Sequence, residues 1–148
     1  MIILLDLNYT LVANSPKRGT TPPPMAVRLR TERYRQWLVE LVCPHHVILI
    51  TARPNRWREP TLARILELTR WIPQEAFFAE SGPGGPPGIK QRILMAHVFP
   101  RHGHHAAYFA IESNPRTRAM YVRHGIEAVP VVTRRSIVAQ LLASSQRF

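Results

Sequence analysis

A single cysteine, Cys43, is all the thiol chemistry this chain has, which excludes an intrachain disulfide and a cysteine-based zinc site. No apolar run approaches the roughly 18 residues that a membrane-spanning helix requires. The first residues lack a basic stretch and a small-residue cleavage site, so no secretory leader is expected. These absences lead to an expectation of a reducing, cytoplasmic setting with no membrane partner. Acid is also scarce: Asp+Glu is 9 against Lys+Arg 20, a formal charge of +11. Such an excess favours polyanionic partners, nucleic acid first, although Arg is spread along the chain and not gathered into one tail. Two residue types are scarcer than the charge balance requires. Lysine occurs only at Lys17 and Lys90, and aspartate only at Asp6. Arg and Lys differ in shape and hydration, and Asp has a shorter reach than Glu. Asp6 and Lys90 therefore mark positions where side-chain shape is expected to matter.

What is present is a repeating alternation. At 148 residues and 45% apolar the chain suits one domain, 1–148, with room for a sizeable core. IILLD reads as a buried strand, and ANSPKRGTTPPP (13–24) as a proline-rich loop. RTERYRQWLVELV has helical spacing through Tyr34, Trp37, Leu38, Leu41 and Val42. HHVILIT is a second strand. EPTLARILELTRW is a helix with Pro60 in its first turn and Leu62, Ile65, Leu66 and Trp71 inward. EAFFAE is a third strand. SGPGGPPG is expected to be neither helix nor strand interior, and IKQRILMAHVF resumes the helical period. AAYFAIE is a fourth strand, and EAVPVV a fifth. Asn114, Pro115 and Gly125 fit the cap, first residue and end of the helix between them, and RRSIVAQLLASS closes the chain as a helix. The pattern is that of an α/β, Rossmann-like parallel sheet of about five strands with helices on both faces. The connection between the first two strands has no room for a large cap domain. In such sheets ligands bind beyond the carboxyl ends of the strands, where Asp6, Thr51, Lys90 and Glu112 all fall. The first strand ends in an acid because that end faces a site.

In that order, DLNYT, ILITARP, PPGIKQRIL and FAIESNPRTRAMYVRHGI resemble the four motifs of the haloacid-dehalogenase-like superfamily of phosphohydrolases. The stretch from AIES to HGI is most similar to the phosphatase domain of polynucleotide kinase-phosphatases. The resemblance implies a phosphomonoesterase in which Asp6 is the nucleophile, forming an aspartyl-phosphate. It implies Mg²⁺ held by Asp6, the backbone carbonyl of Asn8 and Glu112. Thr51, with the neighbouring backbone of Ala52 and Arg53, and Ser113 would serve the phosphate and its water, and Lys90 would offset charge.

Two departures from the family pattern carry consequences. Asn8 stands where the family's hydrolases carry a general acid/base aspartate, a loss worth on the order of 10²–10⁴ in rate. Glu112-Ser113 replaces an acidic pair; Glu112 still reaches a metal, while Ser113 is limited to holding a bound water. An open rim and the positive charge favour a phosphorylated nucleotide or nucleic-acid end as substrate, with Arg53, Arg56 and Arg58 meeting its sugar-phosphate chain. The alternative is a catalytically impaired module that binds phosphate, nucleic acid or a protein partner. Oligomeric state is not legible. RHGHH (101–105) is expected to be a solvated loop with no carboxylate beside it, opposite the site. GPGGPPG lacks the order of a phosphate-binding loop. Trp37, Trp57 and Trp71 read as packing residues, although Trp57, between arginines, also suits base stacking.

Overall fold

β1 (Ile2–Leu5) is the middle strand of a sheet whose every neighbour runs parallel to it. In this computed structural model, which describes residues 1–148, the order is β3–β2–β1–β4–β5. β2 spans His46–Pro54, β3 Glu75–Ala79, β4 Tyr108–Ile111 and β5 Glu127–Val129. Side chains alternate across a strand, and β1 divides its apolar residues accordingly. Ile3 and Leu5 join one core with Leu38, Val39, Ile65 and Ile137, while Leu4 joins another with Ile48, Leu94 and Met120. The first layer is built from α2 (Gln36–Val42), α3 (Arg58–Thr69) and α7 (Arg134–Ser145). The second comes from α4 (Gly85–Ile93), α5 (Phe99–His102) and α6 (Pro115–Arg123). The expected three-layer α/β architecture is thus what the chain adopts. Successive strands are added on one side of β1 up to β3 and on its other side from β4 onward, and that switch point between β1 and β4 is where such sheets open a crevice.

Local chemistry explains most boundaries. The Asn114 side chain accepts a hydrogen bond from Arg116 N–H at 2.9 Å, and Thr133 accepts one from Ser136 N–H at 3.1 Å, capping α6 and α7. Gly125 leaves α6 with φ +76°, a conformation other residues resist. No helix is long and apolar enough to cross a membrane.

Several expectations are corrected. The helix read across 30–42 is two: α1 (Met25–Thr31) and α2, separated by Glu32–Arg35. Backbone pairing wins there, because Ala13 N–H donates to Arg33 O at 2.7 Å and Arg35 N–H to Leu11 O at 2.8 Å. A Val12–Tyr34 bridge completes this pairing. GPPG, read as non-helical, is the first turn of α4; first-turn N–H groups have no intrahelical acceptor, so prolines cost nothing there. Lys90 consequently lies a full turn inside α4 and does not open it. Leu66 is exposed on α3 instead of inward. Strands three to five are shorter than read, and Trp71 lies beyond α3, half-buried against the core.

Candidate active site at the carboxyl edge of the sheet

Asp6 follows β1 with its N–H still bonded to Ile111 O at 3.0 Å, and Glu112 follows β4 with its N–H bonded to Val129 O at 2.9 Å. The sheet ladder therefore fixes both carboxylates. α4 brings Lys90 between them: Nζ lies 2.6 Å from Asp6 Oδ1 and 2.6 Å from Glu112 Oε2. All three side chains are buried. Residues 84 and 22 positions apart are joined in one charge cluster that no local preference explains.

The second oxygen of Asp6 is equally committed. Oδ2 accepts from Thr10 Oγ1 at 2.7 Å and lies 3.1 Å from Ser113 Oγ, which is also 3.3 Å from the Asn8 carbonyl. Asp6 Oδ2, Asn8 O and Ser113 Oγ thus converge, an oxygen-only donor set of the kind hard divalent cations take. The turn that sets this up is unusual: Asn8 is extended, and Tyr9 adopts φ +60°, a left-handed conformation in a residue that is not glycine. Tyr9 is held by its N–H donating to Ser15 Oγ at 2.7 Å and its hydroxyl to Pro16 O at 2.6 Å. On the β4 side, Arg118 donates to the carbonyls of Glu112 and Ser113 at 3.0 and 2.8 Å, pinning that loop.

The electrostatics follow from this packing. Burial alone would raise the Asp6 carboxyl, but the Lys90 charge and hydrogen bond, with Thr10, hold it below the usual carboxylate range. Burial alone would lower Lys90; the two carboxylates reverse that and raise it above the ordinary lysine value. Glu112 goes the other way, pushed up to about 7 by burial and by the Asp6 charge, against opposition from Lys90 and the Asn114 N–H. The cluster thus keeps one carboxylate firmly ionised and one near its titration point at neutral pH.

A cavity of ≈ 140 Å³ opens above these groups, and Asp6, Asn8, Thr51, Lys90, Glu112 and Ser113 all line it. Ala52 lines it too, and Thr51 forms its floor, buried and accepting from Arg53 N–H at 3.0 Å. Arg53 is the exception among the expected site residues. Its guanidinium is buried, donating to Glu32 at 3.0 and 2.7 Å, to Thr61 Oγ1 at 3.1 Å and to Asn8 Oδ1 at 2.8 Å. It positions Asn8 from behind and does not reach the cavity. Arg58 is likewise engaged, donating to Ala76 O, whereas Arg56 is exposed and rests 5.9 Å over the Trp57 ring.

Sequence reading missed Tyr9 and Arg18, which also line the cavity, with Arg18 4.0 Å above the Tyr9 ring. Nothing in a polar loop signals that one of its arginines folds back over a strand end. The cavity is not closed in. It shares Ala52 with a depression of ≈ 470 Å³ that Arg56 lines, and Pro86 and Asn114 with one of ≈ 580 Å³ that carries Arg116 and Arg123. A groove of ≈ 380 Å³ along β3 is larger than the central cavity but brings no two carboxylates together.

No family model matches the sequence, and no curated protein matches it. Among solved structures, a chain from the Pnkp1/Rnl/Hen1 RNA repair complex matches with a TM-score of 0.66 and 16% identity. The match covers 87% of this chain but 41% of that one, so this chain spans less than half the length of the chain it resembles. At that identity the likeness is one of fold.

Proposed function

We propose that this chain is a phosphomonoesterase of the haloacid-dehalogenase-like type that acts, with Mg²⁺, on the terminal phosphate of a nucleotide or polynucleotide. One observation carries the reading: Lys90 Nζ lies 2.6 Å from both Asp6 and Glu112 at the mouth of the switch-point crevice. A buried lysine shared by two carboxylates, under an open cavity lined by a threonine, is the equipment that phosphoryl transfer asks for. The RNA repair complex named above supports a nucleic-acid setting, and so do the arginines of the two depressions beside the cavity.

The donor set suits Mg²⁺, since Asp6 Oδ2, the Asn8 carbonyl and Ser113 Oγ converge without nitrogen or sulfur among them. Asp6, Asn8 and Glu112 would hold the ion. When bound, it would neutralise phosphate charge and help to align the phosphoryl group.

The protein's own residues supply the rest. An Asp6 carboxylate oxygen, ionised because Lys90 keeps it so, attacks phosphorus in line. The bond to the leaving oxygen breaks, its electron pair departs with that oxygen, and solvent water supplies the proton it takes up. Water then cleaves the aspartyl-phosphate, releasing phosphate and regenerating Asp6. Lys90 and Thr51 hold the phosphoryl oxygens through both steps. Asn8 supplies only a hydrogen bond at the point where proton exchange is needed, and turnover is correspondingly slow.

The test is phosphate release from nucleoside monophosphates and from 3′- or 5′-phosphorylated oligonucleotides with Mg²⁺, against Asp6→Asn. Release that the variant loses is expected; no release above the variant on any substrate rejects the proposal. A second reading, a module that binds phosphate or nucleic acid without turnover, is favoured by Asn8 alone. It would show as Arg-dependent oligonucleotide binding with no hydrolysis.

A further inference from the structure

At the opposite edge of the sheet three side chains remote in sequence meet. Glu75, at the start of β3, places Oε2 2.6 Å from His46 Nε2 and 2.6 Å from His102 Nε2, which come from the start of β2 and the end of α5. The imidazole rings lie 5.1 Å apart, and the three ligating atoms fall within 4.8 Å of one another. RHGHH was expected to be a solvated loop with no carboxylate beside it. In fact His102 belongs to α5 and contacts Glu75, a partner that sequence adjacency could not reveal.

We propose that His46, Glu75 and His102 form a binding site for a borderline transition-metal ion such as Zn²⁺, cross-linking β2, β3 and the helix that leads into β4. Two imidazole nitrogens and one carboxylate oxygen make a donor set used for Zn²⁺, with a further position left to water. It is the wrong set for Mg²⁺, which prefers oxygen throughout. The two edges of the sheet, about 13 Å apart along four residues of β1, therefore sort cations by chemistry.

Three features favour a built site over a chance cluster. Glu75 and His102 are mostly buried, at 11% and 16% side-chain exposure, while His46 at 40% leaves an entry from solvent. Arg101 Nη1 donates to Glu75 Oε1 at 2.5 Å, which fixes the carboxylate and leaves Oε2 as the single ligating oxygen, the support that ligand carboxylates characteristically have. The guanidinium is 63% exposed, so water screens its repulsion of a cation. Metal entry needs both rings neutral, with the one ring proton on Nδ1 so that each Nε2 presents its lone pair. It also needs Glu75 Oε2 and each Nε2 to draw apart, from 2.6 Å to about 3.3 Å, the edge of a tetrahedron with bonds of about 2.0–2.1 Å. The exposed His46 ring has room for that movement.

The test is titration of the full chain with ZnCl₂ alone, by calorimetry and by competition with a chromophoric chelator, for wild type, His46→Gln, His102→Gln and Asp6→Asn. Expected are one strong site in wild type and Asp6→Asn, at least tenfold weaker binding in either histidine variant, and a Zn²⁺-induced rise in Tm confined to the proteins that bind. Co²⁺ should give a tetrahedral visible spectrum that His102→Gln abolishes. Equal Zn²⁺ affinity in wild type and both histidine variants, or a site lost in Asp6→Asn, would overturn the proposal. Circular dichroism establishes that each variant is folded.

Discussion

Replacing Asn8 by Asp tests the chemistry of the site with almost no change in shape. The side chain is half-buried, its Oδ1 is held at 2.8 Å by Arg53, and its backbone carbonyl, part of the oxygen cluster, is untouched. Arg53 is already neutralised by two bonds to Glu32, so an added carboxylate would be held by a hydrogen bond without facing an uncompensated cation. Asp6 and Glu112 nearby would favour its protonated form, and Arg53 its ionised form; a group poised between the two is what proton exchange requires. If the missing general acid/base is the main defect, kcat should rise by about 10²–10⁴, or about 2.7–5.5 kcal/mol of barrier. KM should stay within about threefold, because ground-state contacts are unchanged. The pH–kcat profile should also gain an ionisation that the wild type lacks. The assay is steady-state phosphate release at saturating substrate and Mg²⁺, with Tm as the check on folding. A folded Asn8→Asp protein that binds phosphate but turns over no faster than wild type would refute the reasoning.

Further outcomes follow from the buried charges. Lys90→Met leaves Asp6 and Glu112 facing each other without a counter-charge, which should cost about 3–5 kcal/mol and lower Tm by roughly 6–20 °C in thermal melts; a change below about 2 °C would contradict the cluster. Glu32→Ala strands the Arg53 guanidinium in the interior and should destabilise by a similar 3–5 kcal/mol in urea, whereas the Glu32→Met/Arg53→Met double variant should lose less than either single change. Glu112 titrates at about 7 when folded and near its ordinary value when unfolded. Between those values the folded state binds more protons, so this group's contribution to stability falls as pH rises and levels off above about 7. Without metal, the Tm of wild type minus that of Glu112→Gln should therefore decline from pH 5 to pH 8, and a rising difference would oppose the assignment.

The parts of the site legible in the sequence were those fixed by strand ends. Asp6, Thr51 and Glu112 were readable because apolar runs stop at them, and a parallel sheet puts all such ends on one edge. Lys90 stood out by rarity, although its depth inside α4 was hidden by prolines that a first turn accommodates. Contacts between residues far apart in sequence were not legible. Arg53 sits in a loop-like TARP stretch, and only its partner 21 residues earlier makes it a buried residue. The same holds for His102 with Glu75, and for Arg18 with Tyr9. The break at Glu32–Arg35 escaped because helical spacing persists through it, while the competing partner is backbone, which carries no side-chain signature.

The Glu32–Arg53–Asn8 chain has a consequence for how this protein tolerates change. Asn8 is tethered to the segment that connects the first two strands, so that connection acts as a brace on the turn beside the candidate site. Inserting residues between Thr31 and Tyr34 would shift Glu32 out of register and let the turn drift, even though no cavity-lining side chain had been altered. The exposed stretch from Gly19 to Pro24, past the cavity-lining Arg18, lies on the far side of the anchoring bonds between Ala13, Asn14 and Arg33. A cut or a grafted loop there would leave the brace standing, and it is the natural place to attach a probe or a second recognition module.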